Sequence, residues 1–144
     1  MTRSKRMEPV KHLADERERE AGSEVALARR TLEDAERQLK QLREYRAEYL
    51  SRMNNGASDG VRLQNYHAFL GRLAGAIEQQ EQQVAVLLGK LERATDAWRE
   101  RRIEAASIGR AVDKIAVGER RAADQRAQRE ADERAMQRAS RPSE

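Results

Sequence analysis

The sequence predicts an all-α fold: a long antiparallel two-helix coiled coil, or αα-hairpin, with an overhanging C-terminal helix. Three observations carry this. Charged residues make up 38% of the chain and aromatics only 3%, while the apolar share is 38%, below the ~45–50% usual for globular domains. That composition cannot fill a compact core, but it can fill a narrow helical seam. Apolar residues recur at alternating steps of three and four, the repeat of a left-handed coiled coil. One segment alone, Asn54-Asn55-Gly56-Ala57-Ser58-Asp59-Gly60, reads as a turn.

Only two prolines occur, Pro9 and Pro142. Pro9 suits the first turn of a helix, where its missing N–H costs nothing, so the first helix is placed at about residues 8–54. Its seam runs through Val25, Ala28, Leu32, Ala35, Leu39, Leu42, Arg46, Tyr49 and Met53, and only Arg46 is polar. The turn is placed at about residues 55–58, with Asn and Gly supplying the left-handed conformation that ends a helix. Ser58 or Asp59 is expected to cap the second helix, at about residues 59–138. Its seam runs through Leu63, Tyr66, Leu70, Leu73, Ile77, Gln80, Val84, Leu87, Leu91, Ala94, Trp98, Arg101, Ala105, Ile108, Val112 and Ile115. Residues 139–144 are expected to fray. The whole, residues 1–144, reads as one coiled-coil domain.

Folding at the turn pairs the seams in an unbroken register. Met53 meets Leu63, Tyr49 meets Tyr66, Leu42 meets Leu73, Leu39 meets Ile77, Leu32 meets Val84 and Val25 meets Leu91. Further along, Ala21 meets Ala94, Ala14 meets Arg101 and Met7 meets Ile108. The turn and this match weigh against the rival arrangement, one continuous helix dimerising in trans. The second helix then overhangs by some 30 residues, roughly 45 Å at ~1.5 Å per residue. Ile108, Val112 and Ile115 begin the overhang as an apolar stripe with no partner inside the chain. Two readings stand: a solvated helix held by charge pairs four residues apart, or an end that another protein covers.

One edge of the seam lacks the charges that normally flank a coiled coil. Gln38 and Tyr45 on the first helix lie across from Ala76 and Phe69 on the second, outside the main seam. With Leu42, Tyr49, Leu73 and Gln80 they form an uncharged strip near the turn. Either these side chains thicken the seam where Arg46 interrupts it, or they are a protein-binding patch, since aromatic anchors dominate interface energetics.

Little other chemistry is available. Cysteine is absent, which removes disulfides and thiolate metal sites. No apolar run approaches the ~18 residues of a membrane span, and no apolar stretch follows the basic segment Met1 to Pro9, so no secretory signal is expected. His12 and His67 lack a neighbour at metal-ligand spacing. There is no glycine-rich phosphate loop and no Ser-His-Asp grouping that a hairpin could assemble. No catalytic residue, cofactor or metal is expected. The net charge is +4 and the pI about 9.7, yet Arg alternates with Glu and Asp, so no one-signed stripe invites nucleic acid. Trp98, in the seam, reads as core. Binding other proteins is the role that remains.

The hairpin with Tyr45-Arg46, Tyr49, Asn65-Tyr66, Phe69-Leu70, Leu73 and Ala76-Ile77-Glu78-Gln79-Gln80, together with Pro9-Val10, Ala14, Leu39, Leu42, Leu63, Trp98 and Asp132-Glu133, resembles the flagellar FliJ family over nearly the whole chain. The resemblance implies a non-enzymatic component of the flagellar type III export apparatus. Such a protein is cytoplasmic, peripherally associated with the inner membrane, and resembles the central stalk of rotary ATPases. The partners implied are the export ATPase hexamer, the cytoplasmic linker of the membrane export-gate protein, and export chaperones, with the chain itself a monomer. The resemblance assigns the gate contact to Gln38, Leu42, Tyr45, Tyr49, Phe69, Leu73, Ala76 and Gln80; Gln80 stands where some members carry His. The ATPase contact falls at Val10, Leu13 and Arg17 and along Ile108, Val112 and Ile115, on architecture rather than motif. The alternatives are the stalk protein of a virulence type III system and a generic basic coiled-coil adaptor.

Overall fold

A computed structural model describes residues 2–56 and 60–141. It consists of α1, Arg3–Asn55, and α2, Gly60–Ser140, packed against each other as an all-α hairpin with no strand among the described residues. Helix two runs slightly further than expected, to Ser140, and helix one starts five residues earlier than the position of Pro9 suggested. The cap expected from Ser58 or Asp59 lies outside the described residues. The end of α1 does not use the expected left-handed residue: no described residue has positive φ. Instead the Gly56 N–H donates to the Met53 carbonyl at 3.4 Å, a tightened last turn that satisfies one of the carbonyls left over at a helix end.

The chain divides into two compact units, Glu20–Arg99 and Met1–Arg19 with Glu100–Glu144. Both helices contribute to each unit.

In the unit Glu20–Arg99 the heptad positions are the buried ones. Ala21, Val25, Leu32, Ala35 and Leu39 of α1 and Leu73, Ile77 and Leu87 of α2 form the core. Leu39, Leu73 and Ile77 pack as one cluster joined by Leu42, Phe69 and Val84. Leu32, Ala35 and Leu87 form a second, joined by Val84 and Leu91. The expected Leu42–Leu73, Leu39–Ile77 and Leu32–Val84 pairs therefore fall within common clusters. Burying each Leu or Ile contributes about 1.5–3 kcal/mol. Beside this seam Arg43 pairs with Glu81 across the helices at 3.2 Å. Trp98 is half-buried, as expected of a seam residue. Its Nε1 lies 3.3 Å from where a Cβ on Gly22 would stand. The indole thus occupies the space that a glycine leaves on the facing helix.

In the unit Met1–Arg19 with Glu100–Glu144, Ala14, Ala105 and Val112 are buried. Thr2 caps α1: its carbonyl accepts from the Arg6 N–H at 3.1 Å and its hydroxyl accepts from the Lys5 N–H at 3.4 Å. Across from it, the Glu119 carboxylate accepts from the Ser4 N–H at 3.0 Å and from the Ser4 hydroxyl at 2.6 Å. These contacts overturn two expectations. Pro9 lies inside α1 rather than in its first turn, because the preceding turn is held by its own cap and by a carboxylate of α2. And the stripe Ile108, Val112 and Ile115 does have a partner within the chain. Val112 is 7% exposed, Ile108 and Ile115 are half-buried, and pairing reaches Glu119, about two turns beyond the expected register. From Arg120 to Arg141 every residue is exposed, so the overhang starts there, without the apolar stripe. No helix of the described residues is long and apolar enough to cross a membrane.

Candidate docking surfaces

The strip near the turn begins with the chain's aromatic residues. Besides Trp98 the chain has three Tyr and one Phe, and these four rings meet. Tyr45 and Phe69 touch edge to face with centroids 5.9 Å apart. Tyr49 lies 4.4 Å from Phe69, 6.4 Å from Tyr45 and 4.4 Å from Tyr66, on which it stacks. Helical spacing of four brings Tyr45 and Tyr49 onto one face of α1, and the heptad match brings that face to Phe69 and Tyr66. The Tyr66 hydroxyl donates to the Tyr49 carbonyl. Burial of that hydroxyl, with Tyr49 nearby, pushes the Tyr66 pKa above the usual tyrosine value.

The strip is graded in depth. Tyr45 is its most open ring, 47% exposed, and Gln38 is also exposed. Leu42, Tyr49, Phe69, Ala76 and Gln80 are half-buried, whereas Leu73 is 6% exposed and belongs to the core beneath. Phe69, expected to stand outside the main seam, instead packs on the Leu39–Leu73–Ile77 cluster, because a ring at this flanking position is wide enough to cover the layer. Gln80 donates to the Ala35 carbonyl at 3.0 Å and to Gln38 Oε1 at 3.2 Å, so its amide works inside the hairpin. With Gln38, Gln41, Leu42 and Tyr45 it lines a shallow uncharged depression. A solvent-facing tyrosine over a half-buried aromatic floor, beside such a depression, can receive apolar side chains of another protein.

Beyond the ladder, a second cavity is lined by Tyr49, Arg52, Met53, Arg62, Leu63 and Tyr66. The sequence reading missed Arg52 and Arg62. A signal was present: from Tyr49 to Ile77 the one acidic residue is Asp59, against Arg52, Arg62 and Arg72, so the alternation of charge fails here.

The second candidate surface lies in the unit Met1–Arg19 with Glu100–Glu144. Val10 is 46% and Leu13 47% exposed; Arg17, one turn on, is exposed too. The spacing of three and four puts these on one face of α1. Ile108, Val112 and Ile115, expected to share this surface as an open stripe, are instead packed inward. Among the described residues no cluster of His, Asp or Glu could hold a metal ion.

The family model described as "Flagellar FliJ protein" matches residues 3–144. The flagellar FliJ protein of Salmonella typhi is 34% identical over 99 residues, 67% of this chain and 67% of its own length. That of Escherichia coli (strain K12) is 34% identical over 96 residues, 65% of each. The chain thus spans about two thirds of the length of these relatives. With that family model matching residues 3–144, the chain belongs to the flagellar FliJ protein family.

Proposed function

We propose that this chain is a non-enzymatic, central-stalk-like component of the flagellar type III protein export apparatus. It acts as a monomer in the cytoplasm, peripherally associated with the inner membrane. It binds and stimulates the export ATPase hexamer, docks on the cytoplasmic linker of the export-gate protein, and recycles export chaperones. The observation that carries this reading is the aromatic ladder. In a chain with 3% aromatics, four rings gather on one uncharged edge, and folding alone does not require Tyr45 to be among them. The gate linker docks on Gln38, Leu42, Tyr45, Tyr49, Phe69, Ala76 and Gln80, over Leu73. The ATPase docks on Val10, Leu13 and Arg17, with Ile108 and Ile115 at the margin and Val112 beneath. The test is the affinity of purified full-length chain for the gate linker. Tyr45→Ala should weaken it about thirtyfold, the cost of truncating an aromatic anchor, and should reduce motility without lowering helicity. Unchanged affinity would remove the strip from the docking surface.

A further inference from the structure

We infer that the cavity formed by Arg52, Arg62 and the two inner rings of the ladder receives an acidic side chain of the segment that docks on the strip. That segment therefore lies with an apolar anchor at Tyr45 and a carboxylate toward the turn. This rests on the docking reading above and deepens it.

The cavity has a volume of about 340 Å³, at the lower end of the ~300–1,000 Å³ of ligand pockets. Met53, Leu63 and the rings of Tyr49 and Tyr66 make it partly apolar, and Arg52 and Arg62 add positive charge. Tyr49 and Tyr66 also belong to the ladder, so cavity and strip are continuous. At the other side of the ladder the depression bounded by Gln38, Gln41 and Gln80 has no charged residue. The strip thus has polarity along its length: amides at one end, guanidinium groups at the other. A guanidinium recognises a carboxylate through paired N–H donors. Among the described residues Arg52 forms no ion pair with a carboxylate, whereas Arg62 has an intrachain interaction of its own, so Arg52 is the group offered to the partner. The first turn of α2 holds no acidic residue and carries Arg62, which adds to the positive end of the helix dipole there. A peptide fits better than a nucleic acid or an anionic membrane, because the cationic site is small, concave and flanked by rings rather than drawn out as a basic stripe.

The experiment measures binding of the gate linker to full-length chain carrying Arg52→Gln, Arg52→Glu or Tyr45→Ala, each checked for unchanged helicity, over a range of ionic strength. Arg52→Gln should weaken binding about tenfold, the worth of a hydrogen bond to a charged group, and Arg52→Glu by more, with a flatter salt dependence in both. A linker series with each Asp and Glu replaced in turn by Lys should contain one member whose binding is restored by Arg52→Glu. If Tyr45→Ala weakens binding but neither Arg52 variant does, the carboxylate inference fails while the docking strip stands. If Tyr45→Ala has no effect, the docking reading itself fails. A short DNA duplex and phosphatidylglycerol vesicles serve as counter-probes: Arg52-dependent binding to either, with linker binding unaffected, would overturn the assignment to a peptide.

Discussion

Single residues show how the seam is held. Leu39 and Ile77 belong to one buried cluster, so Leu39→Ala or Ile77→Ala should each lower the unfolding free energy by about 2–5 kcal/mol; a loss below about half a kcal/mol, ordinary for a surface site, would show that these sites are not buried. Glycines separate packing from propensity. A Cβ on Gly71 or Gly75 would meet nothing within 4 Å, so Gly71→Ala and Gly75→Ala should stabilise by about 0.5–1 kcal/mol each through helix propensity. At Gly22 the new Cβ would press on Trp98 Nε1 at 3.3 Å. Gly22→Ala should gain less than the other two, and the emission of the lone tryptophan should shift only in this variant. Equal gains at all three positions, with unchanged emission, would mean the indole does not rest on Gly22. The periodicity identified Trp98 as a seam residue. It did not reveal Gly22 as its seat, because a glycine beside a seam carries no hydrophobic signal.

At the scale of the element, the start of α1 is where local rules gave way to tertiary contact. Proline in a helix interior costs about 3 kcal/mol or more in isolation, which is why Pro9 read as a first-turn residue. The turn before it survives because Thr2 caps it and Glu119 binds Ser4, a contact between residues far apart in sequence that no window along the chain displays. Hydrogen bonds from the Ser4 hydroxyl and then the Ser4 N–H hold the Glu119 pKa below its ordinary value of 4.5. A carboxyl whose folded pKa is depressed stabilises the fold above its unfolded value, and that contribution is lost as pH falls through the folded value. Amide exchange protection in residues 3–8 should therefore hold at neutral pH and decline relative to the rest of α1 below about pH 4.5. Glu119→Gln should lower it at neutral pH and remove the pH dependence. Equal protection in the variant and the parent chain would show that Thr2 alone secures the turn.

For the whole molecule, the heptads made the hairpin legible because a narrow seam must repeat where it is buried. Along the strip, Tyr45, Phe69, Gln38 and Ala76 were legible for the opposite reason: charges that solvate a flank are missing there. The open stripe at Ile108, Val112 and Ile115 was misread because α1 starts earlier and Ser4 bonds Glu119 about two turns beyond the expected register, and this changes how the proposed ATPase contact is to be probed. Cutting the chain after Gly109 would remove the buried Val112 and Glu119, which binds Ser4 at the start of α1, so a loss of ATPase stimulation would not distinguish a missing contact from a loosened helix. Val10→Glu with Leu13→Glu alters exposed side chains only and should leave the buried layers of Ala14, Ala105 and Val112 intact. The two proposed docking surfaces draw on residues of different units, so their losses should be separable. Val10→Glu with Leu13→Glu should reduce stimulation of the export ATPase about tenfold or more, the consequence of placing unpaired charge in an apolar contact, and should leave gate-linker affinity within about twofold, since exposed substitutions away from the strip alter little. Tyr45→Ala should do the reverse. The decisive comparison sets both variants and the parent chain side by side in ATPase stimulation, linker affinity and far-ultraviolet circular dichroism. If either variant loses both activities while keeping its helicity, the chain does not carry two separate docking surfaces, and the assignment of the ATPase to Val10, Leu13 and Arg17 falls.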